Sequence, residues 1–327
     1  IVGFLLTAVQ TWTKVESVKG WPLAILVLVW VAARVLMAFP GLASPTVVAS
    51  VDLLFLPMAA LFMARPIVIA QKWRNLFFVP ILLLMAVVNG LMHGAVSQIY
   101  ALSYLHLSHI MVMLISLVMC IMGGRVFPMF TANGTRTPKV APLPWLETLS
   151  IVSVIASVIV ASELLILPEA LVAAVYVVAG VSNLIRALRW RIWVTLTTPL
   201  VWTLHVSYWS VAIGLILLGL SQLQLFTNAS VAYHTITVGG IGMMILAMIS
   251  RVSLGHTGRF IEVGPGMTLA FVIMLLALVT RIIAPFFVVQ YGVLLLLSAA
   301  LWALAYGTFV VLYAPVLFKP RVDGAPG

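Results

Sequence analysis

The chain has 327 residues, of which 64% are hydrophobic and 7% charged; its mean hydropathy is +1.24 and its formal charge +10. No soluble core needs that much apolar material, and the basic residues fall in short loops, where they set topology rather than bind nucleic acid. The apolar runs are continuous rather than alternating, which excludes a β-barrel, and the single Cys120 allows no intramolecular disulfide. What remains is an all-α polytopic transmembrane helical bundle, read as a single integral membrane domain over residues 1–327.

Residues 1–9 read as the last third of a span whose beginning is absent, because the chain opens at Ile1 inside an apolar run. Ten complete spans follow, near 22–38, 46–64, 75–95, 105–123, 145–167, 169–187, 199–220, 228–249, 266–284 and 287–314. Pro and Gly punctuate most of the connections. Charge alternates from loop to loop. Lys14 and Lys19 lie in the first loop, Arg65, Lys72 and Arg74 in the third, and Arg125, Arg136 and Lys139 in the fifth. Arg186, Arg189 and Arg191 lie in the seventh, Arg251 and Arg259 in the ninth, and Lys319 and Arg321 in the tail. The intervening loops carry no Lys or Arg. Positive loops stay cytoplasmic, so the C-terminus is expected inside and the even loops outside.

That orientation gives each intramembrane polar residue a depth. Asp52 falls about 10 Å below the outer face, His234 about 9 Å below it, and His205 near the midplane. His93 closes its span at the outer end, with Asn89 one turn before it, and His106 and His109 open the next span there. Glu163 lies one turn from the outer end of its own span. Arg34 and Arg281 break the charge rule at outer span ends. Snorkelling to the headgroups is the first reading of both, and a buried Arg34–Asp52 ion pair the second.

An ionisable side chain inside a membrane is costly and marks a functional-site hypothesis. His205 and His234 are the central candidates, and each could instead be a helix–helix hydrogen-bonding residue. His106 and His109 share a helix face and could share a metal with His93; beside Tyr100 and Tyr104 they could equally belong to an aromatic belt. Trp190, Trp193, Trp202 and Trp209 read as belt and packing residues. Two stretches, 123–134 and 249–259, each set an arginine at a span's inner end before small and hydroxylic residues that suit a tight loop. Arg125, Arg251 and His256 in these stretches are either topology anchors or contacts to an anion such as a cofactor carboxylate. No HExxH, CxxC, P-loop or GxGxxG pattern is present.

The run Gly3-Phe4-Leu5-Leu6-Thr7-Ala8-Val9 with Trp12, then Gly20-Trp21-Pro22-Leu23 and Arg74-Asn75-Leu76-Phe77-Phe78, resembles the NnrS family. So do Gly124-Arg125 with Pro128, Phe130 and Thr131, the segment Arg186-Ala187-Leu188-Arg189-Trp190-Arg191, and His234-Thr235-Ile236-Thr237-Val238-Gly239 through Ser250-Arg251 to His256-Thr257-Gly258-Arg259. The resemblance implies a bacterial inner-membrane protein of about twelve spans that contains haem and copper and serves tolerance of nitric oxide. It also implies two further N-terminal spans, carrying a His-x-His-Glu-Met motif, of which this chain keeps only the end of the second. His106 and His109 are not carried by it.

The function expected first is a haem/copper protein that binds or processes nitric oxide or nitrosylated metal, with His205 and His234 as ligands and an unidentified redox partner. Their two spans, joined by a short outer loop, should pack as a hairpin holding one porphyrin-sized cofactor. The alternative is a proton- or substrate-coupled transporter using Asp52, Glu163 and the histidines, and a third reading is a scaffold whose histidines only pack.

Overall fold

The computed structural model describes residues 1–39, 41–99, 101–226 and 228–324, so Tyr100 of the expected aromatic belt lies outside the described residues. Among the described residues, ten helices are long and apolar enough to cross a membrane. Helices suit that solvent because every backbone bond closes within the segment. They pack as two compact units, residues 1–114 and residues 115–327.

The first unit comprises α1 (Val2–Thr13), α2 (Gly20–Ala38), α3 (Pro45–Ile69), α4 (Phe78–Val96) and the start of α5 (Tyr104–Thr135). Its hub is α3, which packs against α1, α2 and α4. Ser44 caps α3 by accepting a hydrogen bond from the Val47 amide, and Pro45 takes the first helical position, where its missing N–H costs nothing. Val9, Ala33, Ala59, Met63, Ile67 and Phe78 form the buried core, and Trp12 stacks on Phe78 at 5.6 Å.

The second unit holds the rest of α5, then α6 (Pro144–Ala161), α7 (Glu169–Arg189), α8 (Pro199–Gln222), α9 (Ala229–His234), α10 (Met243–His256), α11 (Pro265–Ile283) and α12 (Tyr291–Phe318). A π-helical segment, Thr235–Gly242, joins α9 to α10, so the three form one span. Proline opens α6, α8 and α11. Here α8 is the hub, touching α7, α9, the π-helical segment, α10 and α11. The approach is very close: a Cβ on Gly214 would sit 2.4 Å from Ile236 Cγ1, and one on Gly240 would sit 2.6 Å from Val211 Cγ2. In lipid, where burying apolar surface between helices gains little, such small-residue contacts supply the association energy.

Three sequence expectations change. The stretch 123–134 is no loop, since α5 runs unbroken for 32 residues to Thr135, with Pro128 inside it. Likewise 249–259 is helical as far as His256. Gly123, Thr131, Ser250 and Ser253 of these stretches are buried within the bundle instead of making turns. At the other end α6 stops at Ala161, which leaves Glu163 outside the helix in a turn with φ 53°.

Candidate functional site

In the first unit the polar residues converge on one carboxylate. Asp52 of α3 is 6% exposed and accepts from three donors. Arg34 of α2 donates to Oδ1, Asn89 Nδ2 of α4 donates to Oδ2 at 2.7 Å, and His93 Nε2 lies 3.0 Å from the same Oδ2. The i, i+4 spacing of Asn89 and His93 puts both on one face of α4, opposite Asp52. Arg34 is therefore ion-paired rather than simply snorkelled, though its side chain stays 45% exposed. A cavity of about 500 Å³ adjoins this cluster, lined among others by Met37, Asn89, Met92, His93, Ser97 and Tyr104. With Nε2 engaged by Asp52, His93 leaves its other nitrogen for a ligand, the arrangement in which a carboxylate orients a metal-binding imidazole.

His106 and His109 sit in the first turns of α5, both partly buried. Among the described residues, no three of His, Cys, Asp or Glu gather in a way that could hold a metal ion. The structure thus does not bring His93, His106 and His109 together as a three-ligand group.

In the second unit the polar centre is a cation. Arg186 is 2% exposed and belongs to the last turn of α7, not to the loop in which its sequence context placed it. Its Nη1 donates to the Cys120 carbonyl at 2.9 Å and to the Tyr208 hydroxyl at 3.0 Å, and Nη2 donates to Glu147 of α6. Tyr208 in turn donates to Asn183 Oδ1 at 2.5 Å, and Asn183 Nδ2 donates to the Ser150 carbonyl at 3.1 Å. Gly123 and Gly124 make this possible. A Cβ on Gly124 would lie 1.5 Å from Arg186 Nη2, and one on Gly123 would lie 2.5 Å from the Tyr208 ring. Sequence reasoning missed this network. Its available signal was a pair of adjacent glycines within an apolar run, read as a turn when it is a slot.

One turn from Tyr208, His205 is fully buried. Its Nε2 lies 2.8 Å from Thr131 Oγ1 of α5, while Nδ1 has no hydrogen-bond partner among the described residues. The Trp190 ring meets it edge-on at 6.2 Å and Tyr208 at 4.8 Å, which makes Trp190 a packing residue as expected. Phe130, next in sequence to Thr131, carries the Arg251 guanidinium over its ring at 3.8 Å. Arg251 makes no hydrogen bond or ion pair among the described residues. So a buried imidazole with an unused nitrogen and an arginine without an acceptor both rest on consecutive residues of α5.

His234 does not join them. Arg281 Nη2 of α11 donates to His234 Nε2 at 2.9 Å. Arginine only donates, so that nitrogen's lone pair is occupied and the proton lies on Nδ1. Moreover, at about 100° per residue His205 shares a face of α8 with Ala212 and Ile216, which pack on Gly180 of α7. The opposite face, through Val211 and Gly214, meets the π-helical segment. α8 and α9 do form the expected hairpin, but its glycine-tight seam leaves no room for a porphyrin, and the two histidines do not share a site. Arg125 is exposed on α5. His256 ends α10 with an exposed side chain, and its carbonyl accepts from Arg321 Nη1 of the tail at 2.8 Å.

Compared with known families, residues 1–321 match a family model described as NnrS protein. Nothing among curated proteins or solved structures matches the chain.

Proposed function

The chain belongs to the NnrS family, and from that premise we propose that it is a metal-containing membrane protein that protects against nitric oxide by binding or processing it, or nitrosylated metal, within the bilayer. Family membership suggests the nitric oxide response. The single observation that carries the finer reading is the pairing of His205 and Arg251 across Phe130 and Thr131. With Nε2–H donating to Thr131, the His205 Nδ1 lone pair is left for a metal, and Arg251 has no acceptor competing for a cofactor carboxylate. These residues suit haem, and bound there it would supply an iron coordination position for a neutral diatomic ligand. His234 does not fit that role in this arrangement. Thr131 fixes the imidazole's orientation, Trp190 and Tyr208 exclude water around it, and Arg251 holds a negative group near the end of the bundle that bears the basic loops. On donor chemistry copper suits His93, beside the thioethers of Met37 and Met92 that line the same cavity.

In protein purified from membranes, His205→Ala is expected to abolish haem absorption and Arg251→Ala to lower haem content, while His234→Ala keeps both. Full haem occupancy with an unchanged spectrum in His205→Ala would sink the reading. The basic loops are proposed to face the cytoplasm of a bacterial inner membrane, which labelling of cysteines placed at Ala43 and Arg136 tests: position 136 must be closed from outside.

A second reading rests on the Arg34–Asp52–His93 cluster beside its 500 Å³ cavity, which is also how a proton- or substrate-coupled path is built. Uptake of protons or solute by reconstituted vesicles, lost in Asp52→Asn while haem is retained, favours transport over metal chemistry.

A further inference from the structure

At the end of the second unit that bears the basic loops lies a small cavity, about 70 Å³, that the cofactor reading does not use. Gly124, Lys139, Glu147, Arg186, Arg189 and Trp190 line it. Organic ligands fill pockets of roughly 300–1,000 Å³, so this one suits only a group of a few heavy atoms. Three of its lining side chains are cations and one is an anion.

The two arginines are held in place before any ligand arrives. Arg186 is fixed by Cys120, Tyr208 and Glu147, fits only because residue 124 lacks a Cβ, and still has an unpartnered, fully buried Nε. The segment carrying Lys139 is clamped on both sides: Arg191 Nη2 donates to the Pro138 carbonyl at 2.6 Å, and Arg189 Nη2 to the Ala141 carbonyl at 3.1 Å. Lys139 itself makes no hydrogen bond or ion pair among the described residues. Two fixed guanidinium groups and a lysine on a clamped segment, around a cavity of oxyanion size, bind negative oxygen at a reduced cost of ordering the site.

We infer that this cavity is a binding site for a small oxyanion, with Glu147 as the built-in carboxylate that competes for Arg186. The chemistry fits a free phosphate, sulfate or nitrate and equally the phosphate of an anionic lipid headgroup. Two experimental arms separate those sources.

The full chain in detergent is titrated with sodium phosphate against sodium chloride at constant ionic strength, following the unfolding temperature. A second arm compares nanodiscs of phosphatidylcholine with nanodiscs containing phosphatidylglycerol. The expected result is a saturable, phosphate-specific rise in unfolding temperature. Lys139→Ala should weaken its half-saturation about tenfold, the loss of one charged contact, and Glu147→Gln should strengthen it by removing the competitor. A rise seen only with phosphatidylglycerol, and lost in Lys139→Ala, assigns the site to a lipid headgroup. If wild type and both variants respond to phosphate and phosphatidylglycerol no more than to chloride and phosphatidylcholine, the cluster is a structural ion pair alone. Because Lys139 and Glu147 sit at the rim of the network, neither variant needs Arg186 to move for the protein to fold.

Discussion

The two units bury opposite charges and solve the problem in opposite ways. In the first, an anion is the centre: Asp52 accepts from Arg34, Asn89 and His93, and one of those donors remains 45% exposed. In the second, a cation is the centre: Arg186 donates to Cys120, Tyr208 and Glu147 and is 2% exposed. A carboxylate is small, and three donors on neighbouring helices reach it without crowding, so the cluster can stay beside an open cavity. A guanidinium is large and planar, so the helices must make room for it, which Gly123 and Gly124 do. The open cluster is therefore free to rearrange around its cavity, whereas the closed one holds its guanidinium rigidly between helices.

Breaking the closed centre should cost most. Gly124→Ala puts a methyl group where Arg186 Nη2 lies, so the arginine must leave its partners. The expected loss is about 3–5 kcal/mol, the usual effect of orphaning a buried ion pair, read as unfolding in a denaturing detergent titration. Asp52→Asn keeps the shape of the open centre and removes its charge. Because Arg34 can turn to solvent, the loss should be smaller, about 1–3 kcal/mol by the same titration. An equal loss in the two variants would erase the distinction between open and closed centres.

Tyr208→Phe sharpens the picture within the closed centre. It removes one hydroxyl that donates to Asn183 and accepts from Arg186, yet keeps the ring packed against Phe127 and Trp190. About 1–2 kcal/mol should go, since Arg186 retains two other acceptors. Smallest of all is Lys19→Ala. Its pair with Glu16 is largely exposed on both sides, so the unfolding free energy should change by no more than about 0.5 kcal/mol.

Much of the fold was legible from composition and periodicity. The ten spans and the membrane class follow from apolar length alone, because a bilayer accepts nothing else of that hydropathy. The ends of helices were less legible. α5 overruns its expected end because Gly123, Gly124 and Pro128, which in water would signal a turn, are tolerated inside a helix whose neighbours pack against them. Of the candidate site, His205 could be singled out as a polar residue in apolar surroundings and Arg251 as an arginine at a span's inner end, and the Arg34–Asp52 pair was foreseen as one of two readings. That His234 faces Arg281 could not be read, since it depends on how α11 is placed against α9.

Helical membrane character, the number of spans among the described residues, and which residues are too polar to lie in a bilayer without a partner are all written into the individual segments. Those properties are local: they depend on the length, hydropathy and side-chain chemistry of each segment. The partners of those residues come from the packing of the helices. Whether a buried imidazole faces a threonine or an arginine depends on the rotation of one helix against the next, and close glycine contacts set that rotation. Arg186 became the centre of the second unit because α5 offers two residues without side chains at the level where α7 delivers a guanidinium, a coincidence in space between positions 62 residues apart or more.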